Sequence, residues 1–403
     1  MTPIRVRFLD RSTPPHIATL ILLAGLSALS MNIFLPSLPR MAQHFGVDYA
    51  VMQLSVSLYL GASALLQVVL GPLSDRYGRR SLLLGALILF VVATIGTLLA
   101  PTVESFLFFR TAQAVIATGM ALSRAIARDM VDEAQAASMI GYVTMGMSLA
   151  PMLGPIIGGL LEEAFGWQAS FHFLAILGVA MLVLLWFDLG ETTERRPGGL
   201  KQQLRDYPEL FSSPRFWGYV AVAGLSSGVF FALLGGGPFV GSEHFGLSPS
   251  GIGFYFGITA LGYGFGNFLS GRYSVRVGTN RMVLWGGIMP LVTMVLLCLI
   301  ELAGLMTAEV FFGLFLFVGI GNGLLLPNAN AGMLSVRPHL AGTAAGVGSA
   351  FMIGLGAALA AVAGALLSPQ SGPMPLILIM LASSALAVMA ALFVIWRARR
   401  LGV

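Results

Sequence analysis

The sequence predicts an all-α integral membrane protein with twelve transmembrane helices in two pseudo-symmetric six-helix bundles. The chain is 57% hydrophobic, has a mean hydropathy of +0.88 and is only 10% charged, whereas a soluble domain has ~25% charged residues. Its apolar runs are long enough for membrane helices of ~20 residues. Residues 71–81 and 271–281 share one pattern at an offset of 200 positions. A repeated pattern between spanning helices indicates a duplicated bundle.

The predicted spans are separated by short polar turns and one longer loop. They cover residues 17–36, 50–70, 81–100, 104–124, 135–161, 168–188, 215–240, 250–270, 282–300, 308–330, 342–367 and 375–396. An even number of spans puts both termini on the same side. The arginines, with Arg40 and Arg110 as exceptions, fall on that side. The positive-inside rule therefore predicts that both termini are cytoplasmic.

Charge and cysteine content exclude several classes of protein. The net charge of +5 comes from short arginine clusters between apolar runs, so we expect no nucleic-acid partner. Cys298 is the single cysteine and excludes an internal disulfide. The sequence has no metal-ligand motif such as His-Glu-x-x-His and no paired aspartates in the spans. We therefore expect no cofactor, no metal and no enzyme activity.

The longest loop divides the chain into two halves. We predict an N-terminal bundle at 1–188, a cytoplasmic linker at 189–214 and a C-terminal bundle at 215–403. Apolar residues recur at helical spacing between 200 and 211, beside basic residues, which predicts a short amphipathic helix on the membrane face.

The turn GPLSDRYGRR, residues 71–80, connects the second and third spans. It resembles the loop between helices 2 and 3 of the major facilitator superfamily. The second half repeats its spacing, with Val275 in place of Asp75. The resemblance implies a conformational gating role for six residues, the last of which follows the fourth predicted span: Gly71, Asp75, Arg76, Gly78, Arg79 and Asp129.

Arg110 lies inside the fourth predicted span. A charged side chain in a span costs at least ~2.5–3.5 kcal/mol on insertion scales, so it should face a cavity or a partner. The alternative is that it snorkels to the outer surface. Arg110 and Gln113 resemble the Arg-x-x-Gln motif of the superfamily's fourth helix.

The fifth predicted span contains GMSLAPMLGPIIGG, residues 146–159. Glycines spaced by four allow another helix to approach closely, and proline removes a helical hydrogen bond. The stretch resembles the helix-5 motif of antiporters in the superfamily, which implies a position between the halves that limits leakage. A packing face without a coupling role is the alternative. Its marked residues are Gly146, Pro151, Gly154, Pro155, Gly158 and Gly159.

Four further segments resemble the Bcr/CflA drug-resistance branch of the superfamily. They are LSRAIARDM (122–130), NIFLPSLP (32–39), PNANAGML (327–334) and AGTAAG (341–346). The resemblance implies a proton-coupled exporter in the bacterial cytoplasmic (inner) membrane. It also implies that Asp75, Arg79 and Asp129 form a cytoplasmic charge cluster.

Asn32 stands where members of that branch commonly have an aspartate. Asparagine cannot release a proton, so the coupling group must lie elsewhere or coupling is absent. His172 is the only histidine inside a predicted span, and a buried core histidine is the alternative to a proton carrier. Glu104, near the outer end of the fourth span, is the second candidate.

Polar and adaptable apolar side chains inside the spans predict a cavity for an apolar or zwitterionic solute. The candidate substrate-binding residues are Asn32, Tyr59, Arg110, Gln113, Met145, Phe230, Tyr255, Tyr263, Asn322 and Asn328.

The sequence thus predicts a monomeric secondary transporter that exports small amphiphilic compounds or antibiotics across a lipid bilayer in exchange for protons. A metabolite exporter, an uncoupled facilitator and, more remotely, a non-transporting scaffold or receptor remain open.

Overall fold

A computed structural model of the chain describes residues 7–130, 133–192, 208–337, 340–368 and 370–401. The described chain is built from helices, the form in which a spanning segment satisfies its own backbone hydrogen bonds. They are α1 (Ile17–Asn32), α2 (Leu38–Phe45), α3 (Tyr49–Tyr77), α4 (Arg79–Leu99), α5 (Val103–Ala112), α6 (Ala117–Met130), α7 (Glu133–Phe165), α8 (Gln168–Asp188), α9 (Pro214–Phe239), α10 (Pro249–Val277), α11 (Thr279–Leu302), α12 (Ala308–Ser335), α13 (Ala341–Leu366) and α14 (Met374–Leu401).

Two spans are each interrupted by a short 3₁₀ turn. Leu35–Ser37 joins α1 to α2, and Gln113–Ile116 joins α5 to α6. Pro36 lies at the start of the first turn and cannot donate a helical hydrogen bond. The first span therefore runs from Ile17 to Phe45, well past the predicted end at residue 36.

The helices give the twelve spans that the sequence predicts. Ten helical units in the described ranges are long and apolar enough to cross a membrane. The long helices α7 and α10, with 33 and 29 residues, complete the set. Six spans precede the 189–213 segment and six follow it.

The two halves repeat each other closely around the second and eighth spans. Helices α3 and α10 each have 29 residues and begin 200 positions apart. Gly78 has φ 86° and ψ 149°, and Gly278 has φ 90° and ψ 142°. Each glycine N–H donates to the carbonyl four residues earlier, on Ser74 and Ser274, at 2.9 Å. The internal repeat predicted from the sequence is therefore present in the backbone.

The ends of the bundle can be distinguished by their connections. The α3–α4 and α10–α11 turns lie at the same end as the start of α1 and the end of α14, which we call the arginine-rich end. The other connections, such as those after Phe45 and Phe165, lie at the opposite end. The halves pack together mainly through α3 against α13 and α7 against α10.

The segment between the halves begins after Asp188 and ends before Pro214. Residues 193–207 lie outside the described part of the chain, and so does most of the predicted amphipathic helix. The segment 208–211 that follows is helical, and Glu209 pairs with Arg337 at 3.0 Å. The exact domain limits stay a prediction.

Asp188 anchors the N-terminal segment to the end of α8. Its buried carboxylate accepts from Leu9 N at 2.7 Å, from His16 N at 2.9 Å and from Thr19 Oγ1 at 2.6 Å. Three donors satisfy this carboxylate, so its role is structural.

Candidate functional site

A central cavity of about 270 Å³ lies between the two halves. Both halves contribute to it, through α1, α3 and α6 on one side and α9, α10, α12 and α13 on the other. Its lining residues are Ser27, Ala28, Met31, Tyr59, Leu60, Ser63, Gln67, Ala117, Met120, Ser227, Phe230, Phe231, Thr259, Ala260, Tyr263, Gly319, Asn322, Leu326, Met352 and Ile353. The residues that line it are all uncharged.

Four of the predicted substrate-binding residues line this cavity. They are Tyr59, Phe230, Tyr263 and Asn322. Asn322 also accepts a short hydrogen bond from Ser226 Oγ, which fixes the amide beside the cavity. The prediction missed Ser63 and Thr259, because single hydroxyl residues in an apolar run are not a recognisable motif.

Of the other predicted substrate-binding residues, those whose side chains the structure describes are placed elsewhere. Tyr255 stacks on Phe312, with ring centroids 5.1 Å apart, near the opposite end. Asn328 Nδ2 donates to Ser270 Oγ and to the Leu324 carbonyl, both at 2.8 Å, which ties α12 to α10. The side chain of Met145 lies outside the described residues.

Arg110 is fully buried behind the cavity wall. Its Nη1 donates to Gln113 Oε1 at 2.7 Å, and its Nη2 donates to the Ser30 carbonyl at 2.9 Å. The guanidinium carbon lies 4.2 Å from the Phe34 ring centroid and 4.1 Å from that of Tyr59. Two aromatic faces and two acceptors therefore hold the cation inside the bundle. Snorkelling to the outer surface is excluded.

Gln113 extends this network to the third span. Its Nε2 donates to Thr94 Oγ1 at 2.8 Å, and Thr94 donates to the Phe90 carbonyl at 2.7 Å. Both side chains are fully buried. Gln113 therefore acts in this structure as the link between Arg110 and α4, and it does not line the cavity.

Asn32 is buried but does not line the cavity, contrary to the prediction. Its Nδ2 donates to the Ala28 carbonyl at 3.1 Å, and its Oδ1 has no hydrogen-bond partner among the residues the structure describes. The side chain packs towards α7 instead, where a Cβ on Gly154 would lie 3.5 Å from Asn32 Cβ.

The glycines of the fifth-span motif pack against two different helices. A Cβ on Gly158 would overlap the Ile33 carbonyl oxygen, and a Cβ on Gly159 would overlap the Pro249 carbonyl oxygen. A Cβ on Gly253 would in turn overlap the carbonyl oxygen of Pro155. Helix α7 therefore packs on α1 and, across the halves, on α10. The side chains of Pro151 and Met147, and the surroundings of Gly146, lie outside the described residues.

Hydrogen bonds join the halves at the opposite end. Tyr49 OH donates to the Gly235 carbonyl at 2.7 Å. Ser250 donates to Glu163 Oε1 through its N–H at 3.1 Å and its hydroxyl at 2.8 Å. We call this set of contacts, with the α7–α10 glycines, the seam. It closes the cavity at the opposite end.

Towards the arginine-rich end the two halves lie further apart than they do at the seam. A Cβ on Gly354 would lie 3.9 Å from Ala64 Cβ, and one on Gly346 would lie 3.7 Å from the Gln67 carbonyl oxygen. These are ordinary van der Waals distances, whereas backbones at the seam touch directly.

Glu162 is a buried carboxylate beside the seam, and the sequence prediction missed it because the predicted span ended at residue 161. Its side chain is 1% exposed, and Arg40 Nε lies 3.6 Å from Oε1. Its Oε2 has no hydrogen-bond partner in the described ranges. Asp188 accepts three hydrogen bonds, whereas this carboxylate is compensated only by Arg40 and by the nearby Ser37 hydroxyl.

The two predicted proton-coupling residues do not lie in the interior. His172 is exposed on the outside of α8, where Nδ1 lies 3.0 Å from the Gln168 carbonyl oxygen. The expectation of a buried histidine is therefore wrong. Glu104 lies in the exposed first turn of α5. An apolar run does not reveal which of its faces meets lipid.

Charged residues cluster at the arginine-rich end of the N-terminal half. Arg79 Nη2 lies 2.7 Å from Asp129 Oδ2, which ties α4 to α6. The Arg79 backbone N–H donates to Glu191 Oε1 at 2.9 Å. Glu191 thus caps the first turn of α4, with its carboxylate against Gly78. The prediction placed Glu191 in the cytoplasmic linker and gave it no role.

The remaining gating candidates have less defined surroundings. Arg76 is exposed, with its guanidinium carbon 5.3 Å from the Tyr77 ring centroid. The side chain of Asp75 and the surroundings of Gly71 lie outside the described residues, so the predicted place of Asp75 in the charge cluster stays a prediction.

Two pseudo-symmetric six-helix bundles around a central cavity define the class of multi-pass membrane transporters that work by alternating access. The family model of the Major Facilitator Superfamily matches residues 20–361. The chain belongs to this superfamily, as the sequence motifs predict. It is therefore a transporter of small molecules in a lipid bilayer.

Its relatives have the names that the predicted branch implies. The chloramphenicol resistance protein of Pseudomonas aeruginosa is 30% identical over 82% of this chain and 80% of that protein. Multidrug resistance protein D of Escherichia coli is 30% identical over 88% of this chain and 89% of that protein. The bicyclomycin resistance protein homolog of Haemophilus influenzae is 26% identical over 91% and 92%. The similarity to the drug-resistance branch is confirmed.

Solved structures share the fold. A crystal structure of the peptide transporter POT has a TM-score of 0.78 at 15% identity and covers 99% of this chain and 97% of that one. A bacterial homolog of the lysosomal transporter Spinster, in an inward-facing conformation, has a TM-score of 0.74 at 17% identity and covers 95% and 96%.

Proposed function

We propose that the protein exports small amphiphilic compounds, including antibiotics, from the bacterial cytoplasm by alternating access. The observation that carries this proposal is the central cavity, which both halves line and the seam closes at one end. Its uncharged, mostly apolar wall fits a solute without net charge, because a net charge would have to be desolvated without a partner.

The direction of access follows from the distribution of positive charge. The arginine-rich end holds most of the basic residues, so it is the cytoplasmic end by the positive-inside rule. The protein then lies in the cytoplasmic membrane with both termini and the linker inside. With the seam closed, the conformation described here receives solute from the cytoplasm.

Alternating access requires the seam to open and the arginine-rich end to close. The backbone contacts of Gly159 with Pro249 and of Gly253 with Pro155 allow tight closure across the halves, because a side chain at either glycine would separate the helices. The Arg79–Asp129 pair stays within one half and serves to keep α4 and α6 together as that half rotates.

Proton exchange needs a group that can be neutral in one state and charged in another. In the described part of the chain, Glu162 is a buried carboxylate whose Oε2 accepts no hydrogen bond and whose nearby partners are Arg40 and the Ser37 hydroxyl. It lies beside Glu163, whose contact with Ser250 crosses the seam. Its protonation would therefore be sensitive to seam opening, and we assign it the coupling role that Asn32 cannot fill.

One copy of the chain supplies both halves of the cavity, which supports function as a monomer.

The test of drug export is uptake of radiolabelled chloramphenicol into inside-out proteoliposomes, with an imposed pH gradient and after its collapse. We expect uptake above that of empty liposomes, stimulated by the gradient. Bicyclomycin and a lipophilic cation should be run in parallel. Transport of the cation alone would contradict the proposal that the cavity takes uncharged solutes. Uptake of all three compounds only at the level of empty liposomes would contradict drug export.

A further inference from the structure

The central cavity follows the internal repeat of the chain. Residues 59, 60 and 63 of α3 line it, and so do residues 259, 260 and 263 of α10. The two helices have the same length and begin 200 positions apart. The pseudo-twofold axis between the halves therefore passes through the cavity, and residues 200 positions apart face it at the same depth.

This register produces two levels of hydroxyl groups across the cavity. At the first level Tyr59 is opposite Thr259, and at the second level Ser63 is opposite Tyr263. The levels are four residues apart, or ~6 Å along a helix. Each level has one phenol and one aliphatic hydroxyl. The N-terminal half supplies the phenol at the first level, and the C-terminal half supplies it at the second level.

The two aliphatic hydroxyls have no partner among the residues that the structure describes. Ser63 is 4% exposed and Thr259 is 3% exposed, and both side-chain oxygens are buried without a hydrogen bond. Hydroxyls in comparable helices bond to the carbonyl four residues earlier, as Ser384 does to Met380 at 2.8 Å. A buried polar group without a partner is destabilising, so its presence on a cavity wall needs an explanation.

We propose that Ser63 and Thr259 are hydrogen-bonding contacts for the transported solute, a neutral molecule with an apolar or aromatic body and hydroxyl or amide groups about one helical turn apart. The phenols of Tyr59 and Tyr263 complete the two levels. This assignment rests on the proposed function, because it takes the cavity as the solute site.

The surroundings restrict the charge of this solute. The cavity wall has no carboxylate among its lining residues, and the cation of Arg110 lies directly behind the Tyr59 ring. A cationic solute would meet a positive potential without a counter-charge. A neutral solute exchanges its hydrogen bonds to water for bonds to the two levels.

The test measures equilibrium binding of tritiated chloramphenicol to the purified full chain in lipid nanodiscs. Chloramphenicol is the probe because it is neutral and has an aromatic ring, hydroxyls and an amide. Ser63→Ala and Thr259→Val should each raise Kd about 3- to 10-fold, the range for one lost hydrogen bond. The double variant should multiply the two factors, and ethidium, a cation, should not compete.

Ser57→Ala is the matched control. Ser57 is also a buried hydroxyl of α3 without a partner in the described chain, but it does not line the cavity. Its replacement should leave Kd unchanged. If the native chain binds chloramphenicol and the Ser63 and Thr259 variants bind it equally well, the hydroxyl assignment is wrong and drug export stands.

A second measurement decides the assignment if the native chain does not bind the probe, which would count against drug export. Hydroxyls reserved for a ligand stabilise nothing in its absence, so Thr259→Val and Ser63→Ala should keep or raise the thermal unfolding midpoint of the ligand-free protein. Thr293→Val, which removes a hydroxyl bonded to Met289 at 2.9 Å, should not raise it. A midpoint clearly below the native value for Ser63→Ala and Thr259→Val would show a structural role and overturn the assignment.

Discussion

Tyr59 separates Arg110 from the central cavity: one face of its ring lies 4.1 Å from the guanidinium carbon, and the residue itself lines the cavity. The buried cation is thus covered by an aromatic ring and does not meet the solute directly in this conformation. Arg110 also donates to the Ser30 carbonyl, so these contacts connect the cavity wall to the α1 backbone.

We therefore expect Arg110→Ala to reduce the initial rate of chloramphenicol transport at least ~10-fold, because it removes two hydrogen bonds and two cation–π contacts. Arg110→Lys should restore part of the rate, since an ammonium lacks the planar fork that stacks between rings. Rates are measured in proteoliposomes at equal protein density. Arg399→Ala, at an exposed terminal position, is the control for loss of positive charge. A native rate in Arg110→Ala would show that the network is dispensable.

The paired turns at Gly78 and Gly278 allow a stability test within one molecule. An alanine at either position would adopt a positive φ that costs ~1–3 kcal/mol. At Gly78 it would also displace the Glu191 carboxylate from the α4 N-terminus, whereas nothing lies within 4 Å of a Cβ on Gly278. Gly78→Ala should therefore lower the thermal unfolding midpoint more than Gly278→Ala, by the equivalent of ~1 kcal/mol for a lost cap.

Glu191→Ala supplies the control for this comparison. It should reproduce most of the difference between the two glycine variants, since it removes the cap without backbone strain. Equal midpoints for Gly78→Ala and Gly278→Ala would mean that the cap contributes nothing.

The main architecture could be predicted from the sequence because it depends on one-dimensional patterns. The lengths of the apolar segments predicted the twelve spans. The repeat at an offset of 200 positions predicted the matched turns that Gly78 and Gly278 form. Arg110 could be placed inside because a charge in an apolar run must find partners.

The faces of the helices could not be predicted in the same way. His172 and Tyr59 both lie in apolar runs, yet one is exposed and the other is buried on the cavity wall. Glu162 was missed because α7 continues past the predicted end of its span. These placements depend on packing between distant helices, which a single run of residues does not encode.

The close contact of α7 with α1 predicts a graded response to alanine. A Cβ on Gly158 would overlap the Ile33 carbonyl oxygen, whereas one on Gly154 would lie 3.2 Å from Leu29 Cδ1, a side-chain atom that can shift. Gly158→Ala should destabilise by ~1–3 kcal/mol through overpacking, and Gly154→Ala by less.

The seam has a direct readout of its own, because Gly159 contacts Pro249 across the halves. The variants Glu163→Cys and Ser250→Cys, combined in a Cys298→Ser background, should form a disulfide when the seam is closed. We expect Gly159→Ala to slow this cross-linking, whereas Gly154→Ala, whose contacts lie within one half, should leave it near the rate of the unaltered seam. Equal cross-linking in both would show that the Gly159 contact does not control closure.

The last prediction concerns coupling through Glu162. Its carboxylate is 1% exposed, and the Arg40 partner is 57% exposed and 3.6 Å away, so the interaction is weak compensation for a buried charge. A glutamine has the shape of the protonated side chain and cannot release a proton. The Glu162→Gln protein should therefore still bind solute. The factor by which a pH gradient stimulates its chloramphenicol flux should fall about 10-fold, or to the uncoupled level.

His172→Gln and Glu104→Gln are the controls and should keep the native stimulation, because both side chains lie outside the bundle interior. Flux is measured for all four proteins with the gradient imposed and after its collapse by an ionophore. Full gradient dependence in Glu162→Gln would remove this residue from the coupling path, and a native flux indifferent to the gradient would make the protein a facilitator.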